Sequence, residues 1–411
     1  MFVMSNPVRD YAWGHREAIA DFQGRPPGRG PEAELWIGAH EASPSTLPDG
    51  RRLDAAIAAD PDRWLGPRVR EQLGDRLPFL MKILAVNEPL SLQVHPSAAL
   101  AQHGHRRESA AGVPLDAPHR SYTDASHKPE LLHALTPFHG LAGFREIDRT
   151  VPLLRRLRLP WADEVAQRLE DAPTADTLRA VVTETLALEG RPLKRLLRDI
   201  GDAARHVGAR AGRQELRHRS KMRTTEEAQL NPEAARLFTL VGSLVTRYPK
   251  DPGVLVTLLL NHVALAPGES MFVDAGTVHA YLGGFAIEVM ASSDNVIRAG
   301  LTPKHTDVAE LLRITRFDPV PPPRWDPSER APGYALLEPP VPDFCLTVGD
   351  VPVRRVPAAG PRTVLVIDGA VEVVGQHETV ALTRGQSAFV AHEDGPVDLR
   401  GTGRVAIASV P

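Results

Sequence analysis

Short apolar runs broken by turn residues dominate the first ~145 positions of the chain. Ala33 to Ala39, Pro78 to Val86 and Leu90 to His95 are of this kind, and such runs predict strands of an all-β unit. Ala55 to Ala58 and Val69 to Leu73 predict short helical turns between them. From Glu146 to Tyr248 the period changes. Leu153, Leu154 and Leu157 recur at helical spacing, as do Leu193, Leu196, Leu197 and Ile200, and then Leu237, Leu240, Val241 and Leu244. Thr174 ahead of Asp176, and Asn231-Pro232, mark helix starts. Arg205 to Arg223 is basic and weakly periodic, which fits a solvated helix face or loop better than a nucleic-acid arm.

Short strands return from Val254 to about Ile314. Asp318 to Pro332 carries six prolines and reads as a linker. Beyond it, Thr363 to Asp368, Val371 to Val374, Ala388 to Val390 and Val405 to Ser409 predict a second all-β unit. Pro267 to Val273 echoes Arg384 to Val390, both reading as a turn feeding a strand. The expected architecture is mainly β: two jelly-roll barrels with an α-helical insertion in the first. Residues 1–145 and 236–318 would form the first barrel, 146–235 the insertion and 333–411 the second barrel.

Composition narrows the function classes. At 411 residues the chain exceeds what one hydrophobic core fills. A net charge of -3 gives no bulk attraction to nucleic acid or anionic membrane. A single cysteine, Cys345, excludes an intramolecular disulfide and a cysteine-based metal site. Neither a signal peptide nor an apolar run of the ~20 residues needed to span a bilayer is visible, so a cytoplasmic enzyme is expected. Only six of 48 basic residues are lysine, so a retained lysine hints that an ammonium is wanted.

Four segments carry candidate chemistry. In Leu90 to Pro96, strand alternation sets Ser91, Gln93 and His95 on one face and Leu90, Leu92 and Val94 on the other. The polar face is either solvated or the interior of a barrel, where His and Gln could ligate a metal. After the permissive turn at Gly276, Thr277, His279 and Tyr281 share a face, and Gly-x-x-His resembles the second motif of cupin barrels. In Ser126 to Glu130, Pro129 keeps Lys128 extended, and the pair Lys128 and Glu130 is either a surface ion pair or part of a Gln/His/Glu/His set suited to zinc. In Phe285 to Lys304, Glu288 interrupts an apolar strand and must be functional or paired, while Arg298 and Lys304 could take a phosphate dianion or be exposed loop charges. Lys82, inside Pro78 to Leu84, raises the same question of burial.

Taken in order, Tyr11 to Gly14, Ala33 to His40, Pro78 to Val86, Ser91 to Ser97, His127 to Glu130 and Gly276 to Lys304 resemble type I mannose-6-phosphate isomerases of the cupin superfamily. Ser293 to Lys304 is the most specific stretch. The resemblance is close over about 1–145 and 235–310, and one of layout elsewhere. It implies one zinc ion per chain held by Gln93, His95, Glu130 and His279. It also implies a catalytic group of Arg298, Lys128, Glu288 and Asp294, with Lys82, Ser91, Tyr281 and Lys304 as substrate contacts. Two departures stand near the start: Arg9-Asp10 replaces the usual Gln-containing pair, and His15 replaces a small hydroxyl residue. The second barrel lacks Gln-x-His and Gly-x-x-His and is expected to bind no metal.

The activity implied is interconversion of mannose 6-phosphate and fructose 6-phosphate, in carbohydrate metabolism that feeds GDP-mannose. Zinc would stabilise a cis-enediol, Arg298 would stabilise its charge or hold phosphate, and Glu288, Lys128 or Asp294 would move the proton. A cation near Lys128 would free its neutral amine. The partner implied is a small sugar phosphate, with no nucleic acid and no membrane, and the chain is expected to act as a monomer. Rival readings are an isomerase of another, possibly unphosphorylated aldose, an iron-dependent cupin oxygenase, and a non-catalytic sugar-binding cupin.

Overall fold

The computed structural model describes residues 1–218, 232–353 and 356–411. Two large β-sheets form. In the first, a path of six strands runs Ile297–Gly300, Leu92–Val94, His279–Ala291, Phe79–Val86, Glu34–Gly38 and Val8–Arg9. Glu130–Ala134, Phe138–Phe144, Leu260–Leu265 and Ser270–Val273 branch from it. The hub is His279–Ala291, whose first half pairs with Leu92–Val94 and Phe138–Phe144 and whose second half pairs with Phe79–Val86 and Glu130–Ala134. The change of partners falls at Gly283-Gly284. Gly284 has φ +127°, and a Cβ there would lie 2.7 Å from the Pro137 carbonyl oxygen, so only glycine lets the strand turn at this close approach.

Alternation then sorts side chains. Met81, Ile83, Ile287 and Val289 face one side of the sheet and share a core with Leu346, Val348, Phe389 and Ala406 of the second sheet. Lys82 and Glu288 face the other side, into the interior of the first sheet, in direct register with one another. Period two thus lets strands that read as nearly continuous apolar runs carry two charged groups on one face.

The helices Ile147–Arg156, Pro160–Asp171, Ala175–Leu186, Gly190–His218, Pro232–Arg247 and the short Gly253–Val256 lie, among the described residues, between the strands Phe138–Phe144 and Leu260–Leu265. Thr174 is the expected cap and accepts from the Thr177 N–H. Asn231 and the end of the Arg205 to Arg223 stretch lie outside the described residues; the helix itself reaches His218. The helical core is continuous with the ligand strands: Leu92, Val94, Val278, Ala280 and Ile297 pack with Leu154, Val182, Leu197 and Leu237. The apolar reverse face of the Ser91–His95 segment is therefore covered by helices, which leaves its polar face for the interior.

The second sheet contains Arg362–Val374, Asp398–Ser409, Cys345–Asp350, Tyr334–Leu337, Glu329–Ala331, Thr379–Thr383 and Ser387–Val390. Val364, Val366, Val373, Leu382, Val405 and Ile407 pack against one another within it. The echo between Pro267 to Val273 and Arg384 to Val390 is structural: Gly268 (φ +88°) and Gly385 (φ +81°) each turn the chain into a strand.

Four expectations need correction. The first 145 residues are not all-β, for five helices lie there, the longest being Ala98–Ala110. That helix is polar on most of its surface and buries only Ala101 and Gly104, so it leaves little periodic signal. The run from Val254 starts helical, as Gly253–Val256 and Thr257–Leu259, and the strand begins only at Leu260. The segment 318–332 is a docked strap: the Phe272 N–H donates to the Pro323 carbonyl (3.1 Å) and the Trp325 N–H to the Ser270 carbonyl (2.9 Å). Finally, Phe2–Met4 pairs with Ser387–Val390, so the start of the chain belongs to the second sheet and not to the first barrel.

Candidate metal centre and cleft

Strand register assembles the centre. Gln93 lies opposite His279 on one neighbour and opposite Arg298 on the other, so Arg298, Gln93 and His279 form one row across three strands. Glu130 opens its own strand, paired with Met290 and Val273. Gly276, with φ +79°, makes the turn before His279, and its N–H donates to the His95 carbonyl (2.9 Å), tying the two histidine segments together.

His95, Glu130 and His279 are buried, and their ligand atoms lie within 4.8 Å of one another. Each imidazole is fixed by a backbone carbonyl: His95 Nδ1 lies 2.7 Å from the Asn295 oxygen and His279 Nδ1 lies 3.0 Å from the Thr277 oxygen. A carbonyl only accepts, so each Nδ1 carries the proton and each Nε2 presents a lone pair. Those lone pairs face the Glu130 carboxylate, at 3.1 Å from His95 and 3.4 Å from His279. Burial and the neighbouring Lys128 ammonium push the His95 pKa down to about 4. Burial, the largest single influence, opposes ionisation of Glu130, but Lys128, His95 and His279 together outweigh it and hold the carboxyl well below its usual range. Two lone pairs and a carboxylate thus converge with no proton among them. A divalent cation fits that donor set, and imidazole nitrogen with carboxylate oxygen is zinc chemistry. The Nδ1 bonds are the outer-shell contacts such ligands use.

Gln93 completes the set by a half-turn of its amide. Its Nε2 lies 3.2 Å from His279 Nε2, and its Oε1 accepts from Ser91 Oγ at 3.1 Å. Turned over, Oε1 faces the centre and the NH₂ donates to Ser91, whose hydroxyl accepts as readily as it donates. Tyr281 donates to Glu130 Oε2 (3.0 Å), and Lys128 Nζ lies 3.0 Å from Glu130 Oε1.

The centre lies beside a cleft of about 1320 Å³ lined by Arg9, Tyr11, Lys82, Ser91, Gln93, Lys128, Asp294, Arg298 and Lys304, among others. Lys82 is buried between Glu288 (3.3 Å) and Glu34 (3.9 Å) and lies over the Trp36 ring. Burial works against its charge, and those two carboxylates overcome it and raise the pKa. Asp294 is half-exposed, its carboxylate 3.5 Å from His40 Nε2. Arg298 is half-buried, and burial pushes its pKa down; Lys304 is lowered by burial and by Arg298. Asp251 accepts from the N–H groups of Leu301 (2.6 Å) and Gly253 (2.8 Å) and holds Leu301 at φ +56°, which shapes the loop leading to Lys304.

Residues 1–147 match the family model described as phosphomannose isomerase type I, catalytic domain. The mannose-6-phosphate isomerase of Salmonella typhimurium (strain LT2) is 35% identical over 409 residues, 98% of this chain and 97% of the relative. The chain belongs to the mannose-6-phosphate isomerase family. The human mannose-6-phosphate isomerase is 33% identical over 376 residues, 86% of this chain and 82% of that one. A crystal structure of mannose 6-phosphate isomerase from Salmonella typhimurium, bound to its substrate fructose 6-phosphate and to a zinc atom, superposes with a TM-score of 0.86 at 34% identity, covering 100% of this chain and 99% of that one. The mainly β cupin fold of the isomerases is therefore the fold of this chain.

Within that fold, Gln93, His95, Glu130 and His279 come together, and Lys82, Ser91, Lys128, Asp294, Arg298 and Lys304 line one cleft. Two of the sequence-derived residues lie outside the lining of that cleft. Tyr281 is 3% exposed and is not among the residues lining the cleft; its hydroxyl donates to Glu130. Glu288 is likewise buried, behind Lys82, where burial and the charge of Glu130 push its carboxyl up. Glu34, Trp36, His40, Tyr11 and Asp251 were missed as site residues. Glu34 and Trp36 share a face by alternation within Ala33 to Ala39, the one signal that could have found them.

Proposed function

We propose that the chain interconverts D-mannose 6-phosphate and D-fructose 6-phosphate through a cis-enediol, using one zinc ion held by Gln93, His95, Glu130 and His279. The observation that carries this reading is the convergence of two imidazole lone pairs and an ionised carboxylate beside a cationic cleft. Bound there, zinc supplies Lewis-acid stabilisation of the negative charge that develops on a sugar oxygen.

The chain's own residues account for the rest. The cations of the cleft attract a phosphate dianion and favour a phosphorylated sugar over a neutral one. Lys128 carries the proton between C1 and C2: of the three candidate groups it alone both lines the cleft and lies within hydrogen-bonding distance of the metal set. Glu288 keeps Lys82 charged and in place. Arg298, half-buried and adjacent to Gln93 in register, meets the developing oxyanion or the phosphate.

The proposal extends to domain roles, with 1–145 and 236–318 catalytic, 146–235 a helical insertion bracing the ligand strands, and 333–411 a C-terminal barrel free of metal. It also extends to a monomer acting in the cytoplasm on a small sugar phosphate. The test is turnover of mannose 6-phosphate before and after chelation. Activity should vanish with the metal and return with added zinc; full activity in metal-free protein would exclude the reading.

A further inference from the structure

We propose that Arg9 is a third phosphate-binding cation of the cleft, and that it sets how strongly this chain prefers phosphorylated sugar; the inference rests on the isomerase reading above. Arg9 ends the Val8–Arg9 strand and lines the cleft. Its guanidinium is held between two aromatic faces, 5.4 Å from the Tyr11 centroid and 5.5 Å from the Trp36 centroid, and its Nε donates to the Tyr11 hydroxyl at 3.3 Å. Lys304 Nζ lies 5.8 Å from the centroid of the same Tyr11 ring. Arg298 interacts electrostatically with both Tyr11 and Lys304. One phenol thus contacts two of these cations, Arg9 and Lys304, and Arg298 lines the same cleft.

Carboxylates act on these cations only from beyond contact distance, Glu34 and Asp10 on Arg9 and Glu34 on Lys304. Lys82 and Lys128 each have a carboxylate within 4.0 Å, whereas among the described residues no carboxylate lies that close to Arg9, Arg298 or Lys304. Register sets Arg9 opposite Glu34, but that carboxylate already accepts from Trp36 Nε1 (2.5 Å) and faces Lys82. Like charges that line one cleft without a contacting carboxylate repel one another, and an anion with several oxygens can meet all three at once. The guanidinium of Arg9 is pre-organised by its two aromatic contacts, so little side-chain entropy is lost when it meets a phosphate.

The test compares the zinc-loaded protein with Arg9→Gln and Arg9→Lys. Inorganic phosphate binding is measured by calorimetry, steady-state kinetics with mannose 6-phosphate, and Tm by thermal melting. A charge-assisted hydrogen bond lost from the phosphate subsite should weaken phosphate binding and raise KM by about tenfold in Arg9→Gln, with kcat moving much less. Arg9→Lys should recover part of the loss. Unchanged phosphate binding and KM with a lowered Tm would overturn the proposal and leave Arg9 as a brace for Glu34. A fall in kcat at constant KM would overturn it too. Phosphate binding is read without turnover, so a wild-type protein that binds phosphate through Arg9 yet leaves mannose 6-phosphate unchanged would sink the isomerase reading and not the subsite.

Discussion

Glu130 is where the charges of the site meet: it accepts from Tyr281, pairs with Lys128 and faces two imidazoles. Its neighbours in sequence could not show this. Ser91, Gln93 and His95 were legible because alternation put them on one face, and His279 because a glycine turn precedes it. Tyr281 shares that alternation with His279, yet its hydroxyl turns to Glu130, a contact set by a strand that lies 151 residues away along the chain. Tyr281→Phe keeps the ring and removes one donor. It should weaken metal affinity by about 10- to 100-fold with the fold intact, as read by competition with a chelator. A separate pH dependence comes from His133, buried against Ser270 Oγ at 2.9 Å and pushed by burial to about 4. The unfolded chain takes up a proton near pH 6.5 that the folded chain refuses until about 4. Stability is therefore full above pH 6.5 and is lost as pH falls toward 4, by about 3 kcal/mol at most from this group. Tm measured across pH should show that slope, and it should flatten in His133→Gln.

Among the elements, the strands were legible wherever an apolar run met a turn residue. The helix Ala98–Ala110 and the strap 318–332 were not, since the first has almost no apolar stripe and the second spends its prolines docking on a strand edge. The loop from Gly300 to Lys304 shows the same limit. Its residues marked it as specific, but nothing in the sequence links it to Asp251, which arrives from the end of the helical segment and clamps Leu301 in a left-handed conformation. A bulky residue there is strained by about 1–3 kcal/mol and needs that clamp. Asp251→Ala should lower stability by about 1–3 kcal/mol, through the unpaired N–H groups of Gly253 and Leu301. It should also raise KM for mannose 6-phosphate while leaving metal content unchanged; a normal KM would show that the loop holds its shape without the clamp.

At the scale of the molecule, the sequence's division into β, α and β is recognisable, but the joints are not where composition suggested. The N-terminal strand crosses to the second sheet, and the two sheets share one core through Ile83, Ile287, Leu346 and Phe389. The loop that delivers Lys128 and Glu130 is also tied across, since His127 Nε2 lies 2.8 Å from Asp343 Oδ2. Such long-range pairings leave no local mark in a sequence. They make the C-terminal sheet part of what holds the metal centre, although its own interior is filled by valine, leucine and isoleucine. The whole arrangement serves one claim, that four side chains drawn from three segments share a single ion. An anomalous difference map at the zinc edge, from crystals grown with zinc, tests it most directly. One peak should lie about 2.0–2.2 Å from the Nε2 atoms of His95 and His279 and the side-chain oxygens of Glu130 and Gln93. A zinc-loaded crystal with no peak at that point, or with its zinc held by other residues, would contradict the account.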